Sequence, residues 1–86
     1  MKISVDYDDT YTRDPKLWDL LISIAIQRGH EVICVTMRHA TEAIEMPCRV
    51  VYTGRKAKAA FLNDNSETPV DVWIDDSPGW VFQDAL

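Results

Sequence analysis

The sequence predicts a small α/β domain, a three-layer α/β/α sandwich built on a parallel sheet of about four strands. Three observations predict it. Short β-rich runs alternate with helical stretches along the whole chain. The run Val32-Ile33-Cys34-Val35 is continuously apolar, the pattern of a strand covered on both faces. The 86 residues allow one domain, spanning 1–86, with no room for an inserted cap.

Each element has its own signal. Residues 3–5 read as a first strand. Asp14-Pro15 opens a helix, with Asp as the N-cap and Pro at the first helical position, where a missing N–H costs nothing. Leu17, Leu20, Leu21, Ile24 and Ala25 follow at helical spacing, and Gly29 is placed to end the helix. Residues 32–35 form the second strand, and residues 41–46 a short helix stopped by Pro47. Residues 50–52 are a third strand, and Thr53-Gly54 leads into a helix over about 55–63. After a polar turn at 65–69, residues 70–74 make the fourth strand, and Ser77-Pro78 opens another helix. Strand and helix in strict alternation imply right-handed crossovers and a parallel sheet with helices on both faces.

Composition narrows the function. Hydrophobic residues make up 47% and charged residues 27%, the balance of a globular domain rather than a disordered chain. Nine Lys and Arg against fourteen Asp and Glu give a net charge of −5, which argues against sequence-independent nucleic-acid binding. Cys34 and Cys48 are too few for a disulfide framework or a four-ligand zinc site, and their apolar neighbours suggest buried free thiols. The N-terminus enters a strand without a signal-peptide pattern, and the longest apolar run, 20–26, is far short of the ~20 residues of a membrane helix. No membrane association and a cytoplasmic location are expected. Trp18, Trp73 and Trp80 sit among aliphatic neighbours and are expected in the core.

In parallel α/β sheets the site lies beyond the carboxyl ends of the strands. Asp6-Tyr7-Asp8-Asp9-Thr10 follows the first strand, Thr36-Met37-Arg38-His39 the second, Thr53 to Lys58 the third, and Asp75-Asp76-Ser77-Pro78 the fourth. Five carboxylates brought to one edge repel one another unless a cation sits among them. Oxygen-only donors point to a hard cation, with Mg²⁺ first, because it takes one or two carboxylates, keeps waters and shares phosphate oxygens.

Asp6-x-Asp8-x-Thr10 after an apolar strand, Thr36 ending the second, a helix-start Lys and the paired Asp75-Asp76 together resemble the haloacid dehalogenase (HAD) superfamily. The likeness spans residues 3–78. It implies a Mg²⁺-dependent phosphatase acting through an aspartyl phosphate. Asp6 is then the nucleophile and Asp8 the general acid and base, with a neighbouring carboxylate favouring its protonated form. Asp6, the Asp8 backbone carbonyl and Asp76 hold the metal, and Asp75 either adds a ligand or supports one. Thr36 donates to a phosphoryl oxygen and a lysine neutralises charge there. Lys58, leading Lys-Ala-Ala-Phe-Leu, is favoured over Lys56 for that lysine. Tyr7 and Arg38 are further candidates to touch substrate.

Family members usually carry a helical turn and a β-hairpin flap after the first strand. Here only Tyr11, Thr12 and Arg13 separate Thr10 from Asp14. The site is therefore expected to be open, covered by a bulky substrate such as a phosphoprotein or nucleic-acid end, or by a second subunit in a homo-oligomer. The alternative is a catalytically weak or inactive module of this fold that binds a phosphorylated ligand or a partner protein.

Overall fold

A computed structural model describes residues 1–85. The fold is α/β, a four-stranded sheet with two α-helices. The strands are β1 (Lys2–Val5), β2 (Glu31–Thr36), β3 (Arg49–Tyr52) and β4 (Val72–Ile74), in the order β3-β2-β1-β4. Every pairing is parallel: Ser4 of β1 lies opposite Ile33 of β2 and Trp73 of β4, and Val35 of β2 opposite Val51 of β3. All four carboxyl ends therefore meet at one edge.

Helix α1 (Pro15–Gln27) begins where the sequence predicts, with the Asp14 carboxylate accepting from Leu17 N at 3.2 Å. It ends at Gly29, whose φ of +87° lies in the left-handed region that glycine enters without strain. Ile22 and Ala25 of α1 join Ile3, Val5 and Val32 in one apolar cluster, with Trp18 and Leu21 packed against it. Leu17, Leu20 and Ile24 do not join it; they stay about half exposed or more, at 50–64%. The apolar arc of α1 is wider than the face it buries. Helix α2 (Lys58–Asp64) contributes Leu62 to a second cluster with Ile33 and Val35, flanked by Trp73. Because side chains alternate along a strand, Val32 and Ile33 serve opposite sides of the sheet.

Four expected elements differ. Residues 41–46 are not helical: the Glu42 carboxylate accepts from His39 N, and Ile44 N donates to Tyr52 Oη at 3.1 Å, so side chains take what a helix would need. Ile44, Met46 and Cys48 are instead half-buried at every second residue, and Met46 and Cys48 pack on the α1 cluster. Cys34 is buried and free as expected, whereas Cys48 is only partly buried. Helix α2 starts at Lys58 rather than Arg55, because Gly54 and Arg55 both take positive φ, 59° and 72°. That turn lets Thr53 N, Gly54 N and Arg55 N bond the carbonyls of Thr36, Arg38 and Met37 and tie the loops after β2 and β3 together. After β4 comes a single 3-10 turn, Pro78–Val81, and the Ser77 side chain does not cap it. β4 itself starts two residues late, since Asp71 engages the Lys2 backbone with both its N–H and its carboxylate. Among the described residues no helix is long and apolar enough to cross a membrane.

Candidate functional site

The site assembles at the carboxyl edge from the ends of β1 and β4 and the start of α2. Asp6 follows β1 directly and its N–H continues the ladder to Ile74 O at 2.9 Å, which fixes its backbone. Its side chain is almost fully buried. Lys58 stands at the first position of α2 and is 2% exposed. Its Nζ donates to Asp6 Oδ1 at 2.9 Å and to Asp75 Oδ2. Lys56 is exposed, and its carbonyl serves the local turn by accepting from Thr53 Oγ1.

The carboxylate oxygens of Asp6, Asp75 and Asp76 lie within 4.8 Å of one another. Thr10 knits two of them: its hydroxyl lies 3.3 Å from both Asp6 Oδ2 and Asp76 Oδ1, and accepts from Asp76 N at 3.1 Å. Thr10 is itself held by Trp18 Nε1, which donates to its carbonyl at 2.9 Å. Asp75 is already occupied at both oxygens, by Lys58 and by Ser77 N. Asp6 Oδ2 and the more exposed Asp76 thus remain the oxygens best placed for a cation. The donor set is all oxygen and close enough to converge, so it fits a hard divalent ion.

Electrostatics follow from burial. Desolvation pushes the Asp6 carboxyl up to about 6, although Lys58 opposes the shift by charge and hydrogen bond. Burial also disfavours the charged form of Lys58, but Asp6 and Asp75 outweigh it and hold the ammonium above its usual range. Asp76 is desolvated too, yet hydrogen bonds from Asp6, Ser77 and Thr10 hold it below the ordinary carboxylate value. Two neighbouring carboxylates are driven apart, and Asp6 is the one that takes a proton first.

Asp8 departs from expectation. Arg38 grips it with both arms of the guanidinium, Nε to Oδ2 at 2.9 Å and Nη2 to Oδ1 at 2.8 Å. The same guanidinium lies over the Tyr7 ring, 5.3 Å from its centroid, and Tyr7 stacks on Tyr11. The Arg38 hydrogen bonds hold Asp8 below its ordinary range, so it is ionised here, not kept protonated by a carboxylate neighbour. Arg38→Gln is expected to raise the Asp8 titration midpoint, read by carboxyl-carbon NMR; an unmoved midpoint would mean the clasp does not persist in solution.

Thr36 ends β2 and is 1% exposed, with its hydroxyl accepting from Arg38 N at 3.3 Å. A cavity of about 140 Å³ opens over Asp6 and Lys58, and Thr36 is not among the residues lining it. Asp8, Asp9 and Met37 form one side of that cavity, and Asp75, Asp76, Ser77 and Trp80 the other. Trp18 and Trp73 pack against the core as expected, but Trp80 is 41% exposed at this rim. The roles of Thr10 and Trp80 were not separable in the sequence from motif spacing and core composition. The chain runs from Thr10 through a 3-10 turn (Tyr11–Arg13) straight into α1, with no hairpin between them. No protein-family model matches this chain, and no curated protein or solved structure matches it either.

Proposed function

We propose that the chain is a minimal phosphatase of the HAD type, a capless three-layer domain that hydrolyses phosphomonoesters through an aspartyl phosphate. The observation that carries the reading is the buried ammonium of Lys58 bridging Asp6 and Asp75, with Asp76 beside them. A buried Lys between two carboxylates beneath a polar cavity is costly as a structural device, because desolvating the charges roughly cancels their attraction. As a place to receive a phosphoryl group it has a purpose.

Asp6 would attack phosphorus through one carboxylate oxygen while the bond to the leaving oxygen breaks. Lys58 would neutralise charge growing on the phosphoryl oxygens, held in place by Asp75. Asp8 would give the departing oxygen its proton and then take one from the water that hydrolyses the aspartyl phosphate, releasing inorganic phosphate. For that, the Arg38 guanidinium must turn from Asp8 toward the incoming phosphate, whose geometry suits its fork equally well. Asp6, Asp76 and the Asp8 carbonyl would hold Mg²⁺, which would supply further charge neutralisation at the phosphoryl oxygens.

The clasp of Arg38 on Asp8 favours a second reading, a module that binds a phosphorylated ligand and turns it over poorly. One pair of measurements decides. Mg²⁺ at ten times its Kd contributes about 1.4 kcal/mol to the folded state and is expected to raise Tm by roughly 5–10 °C, a rise lost in Asp76→Asn. Phosphate release from a panel of phosphosugars, nucleotides, phosphorylated oligonucleotides and phosphopeptides should then depend on Mg²⁺. Stabilisation without release from any of them would favour the binding module, and no Mg²⁺ effect on folded protein would remove the metal site.

A further inference from the structure

The cavity above Asp6 is small. At about 140 Å³ it is well below the roughly 300–1,000 Å³ of sites that enclose a whole small molecule. It can take a phosphoryl group and little else, so whatever bears the phosphate must lie on the rim.

The rim is not uniform. One side carries Asp8, clasped by Arg38, and the exposed Asp9. The other side carries Trp80, which lines both this cavity and a second, shallow groove of about 210 Å³. That groove is formed by Ser77, Pro78, Gly79, Trp80 and Gln83 and bears no charge. The indole therefore stands as a continuous apolar surface leading from the acidic cavity onto neutral ground. It is also fixed. Trp80 N donates to Ser77 O at 3.1 Å, and the next residue, Val81, is 1% exposed and anchors the turn. A half-open indole beside a polar cavity offers a stacking face, which a core tryptophan does not.

We propose that Trp80 is a specificity-determining residue and that the substrate is a phosphomonoester carrying a planar ring, stacked on the indole while its phosphate enters the cavity. The inference rests on the phosphatase reading above and adds the class of leaving group. The exposed Asp9 and the net charge of −5 disfavour additional phosphates, so the substrate bears one phosphate and an uncharged ring.

Non-hydrolysable phosphonates test this on the full chain with Mg²⁺, by calorimetric titration. Benzylphosphonate, or the 5′-methylenephosphonate of adenosine, is expected to bind about tenfold more tightly than propylphosphonate or methylphosphonate. Which ring binds better distinguishes an aryl phosphate from a nucleoside monophosphate. Trp80→Phe should keep the preference. Trp80→Leu, apolar but not planar, should abolish it. Equal affinity for ring and alkyl phosphonates, or a preference that survives Trp80→Leu, overturns the stacking role while the phosphatase reading stands. Failure of every phosphonate, methylphosphonate included, overturns both.

Discussion

Replacing Lys58 with methionine is expected to cost about 3–5 kcal/mol of stability at neutral pH, because it strips the cation from two buried carboxylates. A chain of 86 residues has about 4–13 kcal/mol to lose, so the variant should forfeit a large share of its stability and unfold outright only at the low end of that range. The contrast with Arg49 is instructive. Arg49 reaches Glu67 at 2.7 Å, a good distance, but its side chain is 50% exposed, and such a pair contributes ~1 kcal/mol or less. Lys58 is worth more to the fold because it is the cation that both buried carboxylates share.

The sign with pH follows from the groups left behind. Without the ammonium, the Asp6 carboxyl midpoint, already pushed up to about 6 by burial, rises further. A raised carboxyl contributes stability below the unfolded midpoint that is lost as pH climbs through the folded one. Lys58→Met should therefore regain more stability than wild type on acidification from pH 7.5 toward 4.5, while the wild-type pair loses its ammonium only when pH rises past the elevated Lys58 midpoint. Urea titrations at both pH values read this out. A variant within 1 kcal/mol of wild type at both would show that the bridge is not coupled to folding.

Much of this was legible in the sequence, for a physical reason. Strands and helices with strong periodicity, such as 32–35 and the Asp14-Pro15 opening, are dictated by local chemistry, and the parallel topology then brings strand ends together without further information. Asp6, Lys58, Asp75 and Asp76 converge on that account. What was hidden depended on loops. The helix expected at 41–46 rested on composition, while Ile44, Met46 and Cys48 carried a period of two that marks an extended segment. The late start of α2 depended on Arg55 entering the left-handed region, which a non-glycine residue rarely advertises. The Arg38–Asp8 clasp joins residues 30 apart in sequence, and only the fold creates it. Trp80 looked like core because tryptophan among aliphatics usually is; a 3-10 turn in place of a helix left it at the rim.

Asp6→Asn should separate catalysis from stability in opposite directions. Loss of the attacking oxygen is expected to reduce phosphate release to background, since an amide is not a nucleophile here. Stability should rise instead. The Asp6 carboxyl sits at about 6 in the folded chain against an ordinary 3.8, so its contribution is present below the ordinary value and is lost as pH rises through the folded one. Above pH 7 that amounts to an upper bound of about 3 kcal/mol charged against the fold. Asparagine is uncharged, its oxygen can still accept from Lys58, and its amide can donate to Asp76. In EDTA at pH 7.5 the variant should be more stable by about 1–3 kcal/mol, with the advantage shrinking toward pH 4. Mg²⁺ should reverse the order, because it stabilises wild type and finds one ligand fewer in Asp6→Asn. Melting curves from pH 4 to 8, in EDTA and in Mg²⁺, measure both signs. A variant less stable than wild type in EDTA at pH 7.5 would mean that the Lys58 pairing outweighs the burial of Asp6. Undiminished phosphate release from it would move the nucleophile elsewhere.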